Sequence, residues 1–375
     1  MEQVIIYIQA FNAETTIERA LNSILNQTHE KWICYCVDNG SIDKTGSIIE
    51  KYAQIDGRIR LERLERNNIW YFFDALPSIL DNYNGGYFTV LDSDDEYMPT
   101  FLEKMLFEID MNDLEIASCG SEFIKASTNT VMSARKTNNT LILEGESFGG
   151  YFASYHQFMR TIWAKLYHIP LIKQCNFDLS RQVCYGGDTI FAIETFRHAK
   201  RAGIFPEILH RYYVSPKSSS YQFMPLRIDS DRLLFEFTCD FLLNKAGYLT
   251  SRNESFLLIV YMNAIKDTVA VLLNSQASIE TKISGVIDIF THKYTEKIIT
   301  KNDWDLTLFS RASVLGQRQD FFTDVINWMF ALDEVPDALV QGYCDVGERL
   351  CDAIGEPEGA LSFRGIREVY EMRQN

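Results

Sequence analysis

The first hundred residues alternate between two spacings of apolar side chains. Val4 to Ile8 is a short unbroken apolar run that predicts a strand. Ile17, Ala20, Leu21, Ile24 and Leu25 follow at intervals of three and one, the stripe of an amphipathic helix. Trp32 to Val37 is continuously apolar, as a parallel strand covered on both faces demands. It stops at Asp38-Asn39-Gly40-Ser41, a cluster of turn formers, and Asp43 is placed to cap a second helix carrying Ile48, Ile49, Tyr52 and Ala53. Ile59, Leu61 and Leu64 mark a third strand, Ile69 to Leu80 an aromatic helix, and Tyr87 to Leu91 a further strand. Pro99 suits the first turn of a helix bearing Phe101, Leu102, Met105, Leu106 and Ile109. This β-α-β-α order predicts an α/β fold, with a mostly parallel sheet and helices on both faces.

Between Glu115 and Leu143 the pattern turns to short strands with polar turns. Gly186 to Ala199 predicts a helix and Ile204 to Val214 a last strand. Beyond Pro225 only helical stripes follow, such as Leu233, Leu234, Phe237 and Phe241, or Phe321, Val325, Trp328 and Met329. The domain boundary is expected near Tyr221 to Pro225, with an α/β domain over 1–222 and an all-α domain over 223–375. Trp304, Phe309, Trp328 and Phe330 are expected to be buried anchors of that second domain. Acceptor recognition, self-association into a homo-oligomer and docking at a membrane surface are its candidate roles.

Charge narrows the field. A net charge of −15 repels phosphate backbones, so nucleic acid is not an expected partner. None of the eight cysteines forms a CxxC pair, and Cys34 and Cys36 fall on one face of a strand. Reduced, buried thiols fit a cytoplasmic location. No leader is recognisable ahead of Val4, and Ser255 to Asn274, the most apolar later stretch, is broken by Asn263, Lys266 and Asp267. It reads as a packed helix.

Asp92, Asp94, Asp95 and Glu96 lie directly after a predicted strand. In open α/β sheets, ligands bind beyond the carboxyl ends of the strands. Like charges this close need a cation, and hard divalent ions such as Mg²⁺ or Mn²⁺ take carboxylates together with substrate phosphates. Asp92 and Asp94 are the candidate metal residues, Asp94 the more direct one. The competing reading is a solvated acidic turn ahead of a helix.

These residues carry a resemblance. Phe11-Asn12-Ala13-Glu14, Ser23-Ile24-Leu25-Asn26-Gln27-Thr28 and Val37-Asp38-Asn39-Gly40-Ser41-Ile42-Asp43-Lys44-Thr45 resemble the opening of family 2 glycosyltransferases of the GT-A fold. Leu91-Asp92-Ser93-Asp94-Asp95 is similar to that family's Asp-x-Asp motif. Trp163 to Tyr167, Gly187-Asp188-Thr189, and Tyr212-Tyr213 with the serines 218–220 resemble its later segments, so that the likeness covers roughly residues 1 to 222. The resemblance implies an inverting glycosyltransferase that uses a nucleoside-diphosphate sugar, a UDP-sugar above all, with Mn²⁺ or Mg²⁺. Its acceptor would be a glycan or a lipid-linked sugar in surface polysaccharide synthesis, made in the cytoplasm or at the inner face of the membrane. By the same resemblance Phe11, Glu14 and Asp38 line the base and ribose pocket. Asp92 and Asp94 serve the ribose and the metal diphosphate. Asp188, at the start of a predicted helix, is the general base. His210 is a candidate additional metal ligand and Lys217 a candidate phosphate contact.

The sequence also departs from the family. Gln9 stands where proline is frequent, Asn39 where a second aspartate is frequent, and Gly187 where a glutamate usually precedes the base. The segment Ile69-Trp70-Tyr71-Phe72-Phe73-Asp74 replaces a small-residue stretch. Packing of a helix on the sheet is the expected role of those aromatics. Two other function classes stay open: a nucleotidyltransferase, which lacks here its basic glycine-rich loop, and a degenerate transferase that binds without turnover.

Overall fold

A computed structural model describes residues 2–214, 223–306 and 309–374. Lys217, the serines 218–220 and Tyr221 lie outside the described residues. The chain divides into two compact units. One comprises Met1–Gln182, Gly186–Ser218 and Phe241–Gly247, and the other Val183–Tyr185, Ser219–Asp240 and Tyr248–Asn375. The division therefore does not fall at a single point in the chain.

The first unit holds the sheet. Its strands are β1 (Val4–Ala10), β2 (Trp32–Asp38), β3 (Ile59–Arg63), β4 (Tyr87–Val90), β5 (Glu96–Tyr97), β6 (Ile116–Lys125), β7 (Thr130–Arg135), β8 (Leu141–Glu144), β9 (Lys165–His168) and β10 (Arg201–Val214). Their order is β3-β2-β1-β4-β9-β6-β10-β5, with β7 beside β6 and β8 beside β10. Four pairings are parallel, β1 with β2, β2 with β3, β1 with β4, and β6 with β10, whereas β7 and β8 pair antiparallel with β6 and β10. Strand β9 runs antiparallel between β4 and β6. The region 115–143, expected as short strands, begins with the ten-residue β6, whose first six residues are buried. Burial on both faces removes the alternation that would have announced a long strand.

Helices α1 (Ile17–Leu25), α2 (Thr45–Ile55), α3 (Tyr71–Leu80) and α4 (Phe101–Asn112) connect the N-terminal strands. Ile17, Ala20, Leu21 and Ile24 are the buried stripe of α1, as their spacing requires. Asp43 accepts from the Thr45 amide at 2.9 Å and so satisfies one free N–H at the start of α2. Pro99 is a correction: it lies ahead of α4, whose cap residue is Thr100, and its carbonyl instead accepts from the Thr28 amide at 2.9 Å. The short helices α5 (Ser147–Gly150), α6 (Phe152–Tyr155) and α7 (Ile169–Ile172) precede α8 (Gly187–His198). Cys34, Cys36 and Cys119 are free and buried in the sheet.

The second unit is helical among the described residues. It contains part of α9 (Arg227–Ala246), then α10 (Ser251–Asn274), α11 (Ile279–Thr291), α12 (Lys293–Thr300), α13 (Arg311–Phe330), α14 (Val340–Ile354) and α15 (Pro357–Gln374). Thr250, Ser278 and Ser310 cap α10, α11 and α13 through their hydroxyls, contacts worth about 1 kcal/mol each. Helix α10 is long and apolar enough to cross a membrane by length and composition, and half of its most apolar window is buried. Leu257, Leu258, Tyr261, Met262, Ile265, Val269 and Leu272 form that buried side. Of the four expected anchors Trp304 is buried and Trp328 half-buried, whereas Phe309 and Phe330 are exposed. Phe330 is the last residue of α13, beyond the stripe that faces the core, and stacks on Phe363 at 4.5 Å, whereas Phe309 lies in the loop ahead of the Ser310 cap.

Candidate active site

The sheet order reverses at β1. Strands β2 and β3 lie on one side of it and β4 on the other, so the crevice at the carboxyl ends of β1 and β4 is a topological switch point. Phe11 follows β1, Asp38 ends β2, and Asp92 follows β4.

Around the first two strands the loops are laced together. The Asn12 amide donates to Ser41 Oγ at 3.0 Å, and the Ile42 amide returns a bond to Asn12 Oδ1 at 3.0 Å. The Ala13 amide donates to Thr45 Oγ1 at 2.7 Å, and the Lys44 amide donates to Glu14 Oε2 at 3.1 Å. Glu14 and Phe11 are exposed, whereas Asp38 is buried and its Oδ1 accepts from the Ser41 amide at 3.0 Å. Beside it Gly46 leaves no room for a side chain: a Cβ there would overlap Asp38 Oδ2 and come within 3.1 Å of Arg63 Nε.

Asn39 has its own account. Its Nδ2 donates to Asn67 Oδ1 at 2.8 Å and to the Asn68 carbonyl at 3.1 Å, while its Oδ1 accepts from the Asn68 amide at 2.9 Å. An aspartate at this position has no donor to offer either acceptor.

Carboxylate oxygens of Asp92, Asp94 and Asp95 all lie within 4.8 Å of one another. Burial first, then Asp95, Asp188 and Asp94, hold the Asp92 carboxyl well above the usual carboxylate range. Burial and the Asp94 charge do the same to Asp95. Asp95 is fully buried; its Oδ1 accepts from the Tyr213 amide at 2.8 Å, and its Oδ2 has no hydrogen-bond partner. Asp92 and Asp94 are half-buried and open to solvent. Three clustered hard oxygen donors fit a divalent cation held by Asp92 and Asp94, with Asp95 behind them facing His210.

Asp188 opens α8, after Gly186 in the left-handed region at φ 83°. Its side chain is exposed to solvent although protein atoms crowd round it. Burial raises its pKa, while the Lys165 ammonium and a backbone hydrogen bond from Ile162 hold the rise back. Asp188 in turn raises Asp92, so the two carboxylates share one field. Lys165 is fully buried and donates to the carbonyls of Thr161 at 2.7 Å and Trp163 at 3.2 Å. Between them Ala164 takes φ 56°, a strained value for a residue with a Cβ.

His210 lies inside the sheet, fully buried. Its Nδ1 is 3.2 Å from Ser121 Oγ and its Nε2 is 3.4 Å from Asp95 Oδ2. Trp163 stacks on its ring at 4.5 Å. The three-carboxylate group does not include it. It stands behind Asp95 rather than beside Asp92 and Asp94.

The aromatic segment packs. Phe72 meets Tyr7 at 5.1 Å, Phe88 at 6.3 Å and Phe191 at 5.6 Å, so it sits between α3, the sheet and α8. A Cβ on Gly187 would lie 3.4 Å from Phe73 Cε2, in van der Waals contact with the ring.

One contributor escaped sequence reading. Arg19, on α1, donates to the Asp94 carbonyl, and its guanidinium lies 3.5 Å above the Tyr213 ring. Its charge holds back the rise that burial imposes on the Asp94 and Asp95 carboxyls. Nothing in a helical stripe distinguishes such an arginine from a solvated one.

Residues 5–173 match the family model of glycosyl transferase family 2. This segment belongs to that family. EpsJ, an uncharacterized glycosyltransferase of Bacillus subtilis (strain 168), is 25% identical over 216 residues, covering 57% of this chain and 62% of EpsJ. An uncharacterized glycosyltransferase of Haemophilus influenzae is 33% identical over 118 residues, covering 32% of this chain and 36% of that protein. The chain thus spans less than two thirds of either relative. S. aureus TarS 1–349, solved in complex with UDP-GlcNAc, aligns at 13% identity and a TM-score of 0.47 over 99% of this chain and 92% of that chain. The family 2 segment includes β1 to β9 and the acidic turn, and ends ahead of Asp188.

Proposed function

We propose that the protein is an inverting, metal-dependent glycosyltransferase that moves a sugar from a UDP-sugar to a hydroxyl of a growing surface glycan. The observation that carries this reading is the acidic turn at the switch point sharing its field with Asp188. Asp92 and Asp94 hold Mn²⁺ or Mg²⁺ together with the donor diphosphate. A divalent cation bound there supplies neutralising charge for the departing diphosphate.

Asp38, Glu14 and Phe11 line the base and ribose pocket. Asp188 accepts the proton of the acceptor hydroxyl as its oxygen bonds to the anomeric carbon and the bond to the diphosphate oxygen breaks. Its raised pKa makes it a better base than an ordinary carboxylate, and the neighbouring Lys165 holds that rise back. The helical unit is proposed to receive the acceptor glycan.

Calorimetry with UDP, with and without Mn²⁺, tests the metal half of the proposal, and a screen of UDP-sugars tests the chemistry. Binding should need Mn²⁺, and Asp94→Asn should weaken it at least tenfold. Asp188→Asn should keep that binding while losing about 10²- to 10⁴-fold in kcat. UDP binding indifferent to Mn²⁺ would remove the metal role. Binding without turnover on any donor would leave a nucleotide-sugar binder.

A further inference from the structure

The turn that leads into β9 is held at four successive carbonyls. Lys165 Nζ donates to the Thr161 carbonyl at 2.7 Å and to the Trp163 carbonyl at 3.2 Å. The Tyr167 hydroxyl donates to the Ile162 carbonyl at 3.0 Å, and the Cys119 amide to the Ala164 carbonyl at 3.1 Å. Arg135 Nη2 adds a bond to Thr161 Oγ1 at 3.1 Å. Lys165, Tyr167, Cys119 and Arg135 are all buried. They lie in the sheet unit, as Asp188 does.

Burying an ammonium and a guanidinium beside one turn is costly. What such a set of polar contacts gives is a single backbone geometry. The geometry here is one the chain would not choose alone, since Ala164 sits at φ 56° and such a residue persists only where its surroundings over-determine it.

The same turn donates its Ile162 amide to the Asp188 carboxylate. The Thr161 carbonyl and the Ile162 N–H belong to one planar trans peptide, so they point in opposite directions and turn together. A hold on the carbonyl therefore aims the amide. Helix α8 places the Asp188 Cβ but does not fix its carboxylate, because the last torsion of an aspartate is broad. A donor of fixed direction does fix it, and leaves the other lone pairs of the carboxylate to accept.

We propose that Lys165 is a positioning residue: by holding the Thr161 carbonyl it aims the Ile162 N–H at Asp188 and so sets which way the carboxylate faces for proton abstraction. This rests on Asp188 being the base. Tyr167 braces the next peptide of the turn and Arg135 the Thr161 side chain. None of the three needs to touch a reacting atom, so their effect falls on the chemical step and not on donor binding.

Lys165→Met, Tyr167→Phe and Thr161→Val in the full chain test this, with Thr161→Ser as the conservative partner. Tyr167→Phe and Thr161→Val keep the Lys165 charge, so a loss in them comes from geometry and not from the field at Asp188. Three quantities are read: kcat and KM for transfer, the Kd for UDP with Mn²⁺, and hydrogen exchange of the Ile162 amide. Lys165→Met should lower kcat about 10- to 100-fold with KM and Kd unchanged, since a misplacement of about 1 Å costs that order. Tyr167→Phe and Thr161→Val should move kcat the same way by less, and Thr161→Ser should restore it. Exchange at Ile162 should quicken in the three slowed variants and in Asp188→Ala. Wild-type kcat with unchanged exchange in the variants would overturn the proposal, and so would a loss shared equally by kcat and UDP affinity. Should Lys165→Met fail to fold, Tyr167→Phe and the Thr161 pair decide. Should the wild type prove inactive on every donor, the base assignment fails by itself, and unchanged Ile162 exchange in Asp188→Ala would then overturn the contact as well.

Discussion

Gly46→Ala separates the reading of this site from an ordinary helix argument, because the two predict opposite signs. Gly46 is the second residue of α2. In an open helix, alanine in place of glycine stabilises by roughly 0.5–1 kcal/mol. Here the new Cβ would overlap Asp38 Oδ2 and press on Arg63 Nε at 3.1 Å. Asp38 is buried and tied to the Ser41 amide at 3.0 Å, so it cannot swing away without losing that bond. Overpacking costs about 1–3 kcal/mol, and a hydrogen bond to a charged group about 1.5–3 kcal/mol. Against the helix gain the net is a loss of at least about 1.5 kcal/mol. Thermal unfolding should show a Tm several degrees lower, and calorimetry a weaker affinity for UDP, since Asp38 is assigned to the nucleotide pocket. Gly316→Ala is the control: Gly316 is inside α13, a Cβ there meets nothing within 4 Å, and the Tm should rise. A Gly46→Ala protein with a raised Tm and unchanged UDP affinity would refute the geometry around Asp38.

Two further outcomes are expected. Arg19→Ala removes the donor to the Asp94 carbonyl and the cation over Tyr213, so Mn²⁺ affinity should fall by about 5-fold, on the order of 1 kcal/mol; an unchanged Kd by calorimetry would retire its role. Burial, against the hydrogen bond from Thr268, pushes the Asp231 carboxyl from 3.8 up to about 7. A raised carboxylate pKa favours the folded protein fully below the unfolded value, and that advantage is lost as the pH climbs to the folded value. Asp231→Asn, which cannot ionise, should therefore gain on the wild type between about pH 4 and pH 7 by on the order of 4 kcal/mol, then run parallel to it. Denaturation curves with a pH-independent offset would count against a buried, protonated Asp231.

The strands and helices of the first hundred residues were legible because each carries one period and ends at turn formers, as β2 does at Asp38 to Ser41. Strand β6 was read less well because a strand buried on both faces has no alternation to read. The acidic turn was legible as composition after an apolar run. Its relation to Asp188 was not, since the two are far apart in sequence and meet only through the position of α8. Arg19 was silent for the same reason: it matters through partners that only folding supplies. Phe330 misled because an aromatic at the end of a helix satisfies the spacing without facing the core, and Phe309 because it lies in the loop ahead of α13, outside any stripe.

Asn39 binds both the side chain of Asn67 and the backbone of Asn68, and the neighbouring Gly40 abuts the backbone of Arg66 and Asn67. The loops that follow β2 and β3 are thus buttoned together and inherit as a pair. A transferase with aspartate at this point would have to rebuild the second loop at the same time, so what reads along the chain as two independent losses is a single exchange of one fastening for another.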